Sequence, residues 1–140
     1  MATLKELRTK FNANNLLKIF NESIKETEEV AIDLLRSQLS AGESGDGGQM
    51  PSYSSKYYAR YKQRIGSEAP FGVVDLKLTG AFYSGFYLRR TAKGFIIRSK
   101  DKKNNKILQR YGSEVLELND ENLTIYVNNY LIPSMLNKIK

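Results

Sequence analysis

The chain has 140 residues, enough for one domain whose core needs no covalent staples. Its 41% hydrophobic and 26% charged residues exclude wholesale disorder. The absence of Cys and His excludes disulfides, thiol chemistry, Ser-His or Cys-His catalysis and ordinary zinc sites.

The formal net charge of +7 is unevenly placed. Residues 89–106 hold eight basic groups against one acidic, and residues 53–88 hold five against two. Residues 1–52 hold six basic against eight acidic, and residues 107–140 three against four. A basic middle attracts phosphate or an acidic protein surface. No apolar run approaches the ~18 residues of a membrane span. The first residues also lack the apolar stretch of a secretory signal, and no membrane partner is expected; the absence of cysteine fits an intracellular or virion setting.

In chain order, Leu4, Leu7 and Phe11 predict a short helix over 3–11. Asn12, Asn14 and Asn15 interrupt it, and one of the last two can cap the next helix. That helix, over roughly 15–40, is the strongest signal in the chain: Leu16, Phe20, Ile24, Ala31, Leu35 and Leu39 trace one stripe, with the acids mostly off it. Its length suggests a helix that packs on its own domain and keeps a face for a neighbour. The stretch AGESGDGGQMPS predicts a flexible glycine-rich loop over 41–53, without the Lys-Ser/Thr pair of a phosphate loop or the alternating carboxylates of a calcium loop.

Tyr57, Tyr61 and Ile65, spaced by four, predict a helix over 54–64 with Ser54 as cap. Residues 66–74 read as irregular. Residues 76–90 predict a short helix or turn at Thr79-Gly80 and then a strand; GFIIRS (94–99) predicts its partner, joined through RRTAKG. KDKKNN (100–105) is a polar loop tip or basic finger, and KILQRYG is ambiguous between strand and short helix. Asn119, followed by Asp120 and Glu121, predicts the start of a last helix that Pro133 should kink or restart. The expected fold is a single α+β domain over 1–140: a helical part to residue 40, the loop to 53, then a helix–sheet–helix core with a small antiparallel hairpin.

Enzyme chemistry finds no support: Asp75 and Glu68 read as solvated loop acids, and Glu28-Glu29 and Asp120-Glu121 as helix charges. No cofactor, metal or catalytic residue is assigned, and the chain is not expected to be an enzyme. Arg89, Arg90, Lys93, Arg98, Lys100, Lys102 and Lys103 surround the predicted hairpin, with Tyr87 and Phe95 interleaved. Three readings stay open for them: a solvated face, a dock for an acidic partner, or phosphate tracking along DNA. Nine tyrosines also ask for a role. Tyr53, Tyr57, Tyr58 and Tyr61 cannot all face one core; they are either a subunit interface or rings laid over their own domain.

The runs GESGDGGQMPSYSSKYYARYK (42–62), DLKLTGAFY (75–83) and QRYGSEVLELNDENL (109–123) resemble a family of phage virion morphogenesis and tail-completion proteins, in particular those of crAss-like phages of Bacteroidetes hosts. The resemblance spans roughly 42–140; residues 1–41 match only as a leading helix. In that family a leucine, Thr-Gly, bulky-residue signature marks the turn before the sheet, here Leu76, Leu78, Thr79, Gly80 and Phe82. The physics of such a step agrees, since Gly80 can take a conformation that other residues avoid while the apolar neighbours anchor both sides.

The resemblance implies a structural virion protein: a homo-oligomeric ring of about six or twelve copies in the head-to-tail connector, neck or upper tail, made in the host cytoplasm. It would hold portal, connector or tail ring proteins around the DNA channel, with non-specific duplex DNA as a further contact. The alternative is a basic DNA-binding or packaging accessory protein.

Overall fold

The structure is a computed structural model and describes residues 13–77, 80–92 and 94–139. The expected helix over 3–11, and the site candidates Leu78, Thr79 and Lys93, lie outside the described residues.

Helix α1 (Ala13–Ser40) is the spine of the molecule. Ile24, Ala31, Ile32, Leu35 and Leu39 are buried along one side, as their three- and four-residue spacing requires. Each of the Ile and Leu side chains contributes roughly 1.5–3 kcal/mol by leaving water. Leu16 and Leu17, in the first turns, remain exposed.

The glycine-rich stretch has no regular element but is tied down. Ser44 N donates to Gly48 O (2.7 Å), Met50 N to Gly42 O (2.7 Å) and Gly45 N to Glu114 O (3.0 Å). Met50 is buried in the core. A Cβ on Gly45 would stand 2.6 Å from Glu117 O, so two backbones meet here only because the residue is glycine.

Helix α2 (Lys56–Arg64) starts one residue later than expected: Ser55, not Ser54, caps it, its Oγ accepting from Tyr58 N at 3.2 Å. A single turn, α3 (Ala81–Ser84), follows Gly80. Strands β1 (Phe86–Thr91) and β2 (Gly94–Ser99) form one antiparallel hairpin with Phe86 opposite Ser99, Leu88 opposite Ile97 and Thr91 opposite Gly94. Arg89 and Arg90, expected in the connection, therefore lie within β1.

The ambiguous KILQRYG belongs to helix α4 (Asn104–Tyr111). A 3-10 turn (Ser113–Leu116) buries Val115 and Leu116. Helix α5 (Asp120–Tyr126) begins as expected, Asn119 Oδ1 accepting from Asn122 N at 2.8 Å. A π-helical turn (Val127–Leu131) leads into α6 (Ile132–Ile139), so the disturbance expected at Pro133 is a widened turn just before it.

The result is a mixed helix-and-sheet domain. The hairpin and the C-terminal helices pack against α1. Buried Tyr126 donates to or accepts from Thr27 Oγ1 (2.8 Å), and its ring meets that of Phe95 edge-on at 5.5 Å. Gln38, 2% exposed, links the helix ends: its Oε1 accepts from Asn119 N (2.8 Å), and its Nε2 donates to Glu117 O (2.9 Å).

Candidate functional site

The segment 75–77 is built around its first residue. Asp75 Oδ1 lies 2.7 Å from Lys62 Nζ, and each side chain is only 4% exposed. Ser67 Oγ donates to the carboxylate at 2.8 Å, Lys77 N at 3.0 Å and Tyr53 OH at 3.3 Å. Lys62 Nζ also donates to Lys77 O, and Tyr83 OH to Asp75 O. Asp75 is thus not the solvated loop acid that the sequence suggested. It is a buried anion with its acceptor sites filled, the condition under which such burial is tolerated.

Burial alone would raise the Asp75 pKa. The donors Lys62, Lys77 N–H and Ser67 outweigh it and hold the carboxyl below the usual carboxylate value. Burial pushes the Tyr53 and Tyr83 phenols well above their usual value, so both rings stay neutral.

The motif's other described residues behave as a corner. Leu76 has φ 59°, a left-handed conformation rare for a leucine, and packs on the core. Gly80 has φ 84° with open space where a Cβ would be, so its requirement is conformational. Phe82 is buried and meets Phe86 edge-on at 5.0 Å.

The four tyrosines divide. Tyr53 is held by Asp75, and Tyr58 meets it edge-on at 4.9 Å. Tyr57 is 82% exposed, and Tyr61 and Ile65 face solvent with it. Helix α2 is therefore inverted: its apolar stripe points outward, and its inner face carries Ala59 and the charged Lys62. Phe71, 61% exposed, follows in the next loop.

The basic candidates do not form one ribbon. Strand alternation puts Tyr87, Arg89 and Arg98 on the outer face of the hairpin, and Phe86, Leu88, Arg90, Phe95 and Ile97 on the face toward the core. Tyr87 and Phe95 are thus on opposite sides. β2 ends at Ser99, so Arg98, Lys100 and Lys102 do not line up as a continued strand would place them. Lys100 instead returns over the Tyr87 ring at 5.7 Å, while exposed Lys102 and Lys103 sit in the turn before α4. Arg98 Nη1 donates to Ile97 O at 3.0 Å.

Several residues escaped the sequence reading. Lys62 lies three positions after buried Ala59, and Gln38 three after Leu35; that spacing was the available signal. Glu28, read as a helix-face charge, accepts from Leu88 N at 3.0 Å and covers the edge of β1. No sequence signal pointed to that contact.

Among the described residues no cluster of three or more acids could hold a metal ion, and no helix is long and apolar enough to cross a membrane. Comparison with protein-family models, with curated proteins and with solved structures finds no match for this chain.

Proposed function

We infer that this chain is a structural protein that joins copies of itself through two different faces, as in a ring of the phage neck or upper tail around the DNA channel. The inverted stripe of α2 carries this reading. Tyr57, Tyr61 and Ile65, with Phe71 in the following loop, are large apolar side chains left exposed. Such surfaces are characteristic of assembly interfaces.

A second exposed apolar pair, Leu16 and Leu17, stands at the other end of α1. The tyrosine helix is tied near the C-terminal end of α1 through the Ser52–Val73 bridge, Tyr53 N to Gly72 O (2.8 Å), and the close approach of Gly42 to Val73. At 1.5 Å per residue, roughly 36 Å of helix separates Leu16 from Ser40. Two unlike faces at opposite ends suit head-to-tail contacts, which form a ring when the rotation between copies closes. The placement in a virion rests on the family resemblance of the three motifs.

The test is mass photometry of the purified chain at low and moderate salt, with and without short duplex DNA. A discrete oligomer that persists at moderate salt without DNA is expected. Tyr57→Ser with Tyr61→Ser should return it to monomer at an unchanged melting temperature. The outer hairpin face, with Arg89, Arg98 and Lys100, supports the second reading of a DNA-binding accessory protein. A monomer that binds duplex, with affinity falling steeply as salt rises, would favour that reading.

A further inference from the structure

A cleft of about 560 Å³ opens between the start of α2, the segment 74–77 and α4. Its charge is one-sided. Lys77, Lys103 and Arg110 line it, and no Asp or Glu does. The fourth lining cation, Lys62, is neutralised by Asp75. Among the described residues, the other three have no carboxylate partner.

Lys77 stands 5.7 Å from the Tyr83 ring and Arg110 5.4 Å from the Tyr111 ring, contacts that hold a cation without cancelling its charge. Tyr53, Tyr58 and Tyr111 also line the cleft, as do Ser52 and Ser54. Tyr53 and Tyr58 are fixed by their edge-on contact and by Asp75, so these two aromatic walls are pre-set.

Three uncompensated cations attract an anion, and the planar guanidinium fork among them can donate to two phosphate oxygens at once. Tyrosine walls add a stacking surface for a planar ring. We propose that this cleft is a binding site for the phosphate ester of a nucleotide, seated on Lys77, Lys103 and Arg110 with its base against the tyrosines. The site stands whether or not the chain forms rings. Its phosphate can come from a free nucleotide or from a DNA strand, and the chemistry of recognition is the same.

The test is calorimetric titration of the full chain with dTMP and, separately, with a short single-stranded DNA oligonucleotide. The wild type is compared with Lys77→Ala/Arg110→Ala and with Arg89→Ala/Arg98→Ala on the hairpin. Saturable binding is expected, weakened about tenfold or more in the cleft variant and within about twofold of wild type in the hairpin variant.

Lys77 holds Lys62 through its main-chain oxygen, which the substitution keeps, so the melting temperature of the cleft variant should match wild type. Lys103→Gln, at an exposed position, is a second cleft variant and should weaken binding in the same direction. dTMP binding assigns the site to free nucleotides. Single-strand binding alone, lost in the cleft variants, assigns it to DNA. Binding of neither probe, or equal loss in the hairpin and cleft variants, overturns the proposal. Self-association is measured separately, so failure of the ring reading leaves this result intact.

Discussion

Two groups of charges lie close in sequence and are treated in opposite ways. At the corner, Asp75 and Lys62 are removed from water and every neighbour is recruited to them: Ser67, Tyr53 and the Lys77 main chain. On the hairpin and the turn after it, Arg89, Lys100, Lys102 and Lys103 keep their water and have no acidic partner among the described residues. The first group makes structure, because an uncompensated buried charge costs several kcal/mol. The second is free to meet another molecule, because exposed charges contribute little to folding. What a charge does here is decided by its surroundings and not by its type.

The largest effect should come from breaking the buried pair. Asp75→Ala leaves Lys62 unpaired and frees three further donors; a loss of about 3–5 kcal/mol is expected in urea unfolding. Lys62→Met should cost less, since Asp75 keeps its other donors. Equal stability of Asp75→Ala and wild type would remove the distinction between the two regions.

The same corner sets the acid limb of stability. The folded Asp75 pKa lies below the unfolded value of 3.8, so its contribution is present above that value and lost as pH falls through the folded pKa. Tyr53 and Tyr83 act in the opposite direction. Their folded pKa values lie above the unfolded 10.0, so their contribution holds below pH 10.0 and is lost as pH rises beyond it. Thermal melts across pH should show both limbs, and Asp75→Asn should flatten the acid one.

Gly80→Val should cost roughly 1–3 kcal/mol, since a β-branched residue must adopt φ 84°; an unchanged melting temperature would dissolve the corner as described. Ser23 offers a smaller test. Its Oγ is buried with no partner among the described residues, so Ser23→Ala should be neutral or stabilising by up to about 1 kcal/mol. Smallest of all, Lys100→Glu with Lys102→Glu should move stability by no more than about 0.5 kcal/mol, while weakening whatever acidic or phosphate partner the hairpin meets.

Much of the fold was legible because it rests on local periodicity. The stripe of α1, the strand GFIIRS and the Asn119 cap all follow from spacing and capping chemistry within a few residues. The candidate sites were less legible. The four tyrosines were rightly seen as too many for one face, but spacing alone cannot say which face of α2 is inner. The Tyr57–Tyr61–Ile65 stripe would normally be buried; here it points to solvent, and a lysine takes the inner place. The seven basic candidates looked continuous in the chain, yet strand alternation and the turn after Ser99 scatter the six described ones over different surfaces.

The sequence by itself determined the long first helix, the hairpin, the capped start of the last helical stretch, the glycine at the corner, and the exclusion of thiol and imidazole chemistry, because these depend on residue identity and on neighbours within one or two turns. Only the tertiary structure decided that Asp75 is an anchor, that Glu28 covers a strand edge sixty residues away, and that Lys77, Lys103 and Arg110 share one cleft. Those facts depend on which distant segments exclude water together, and no local pattern encodes that.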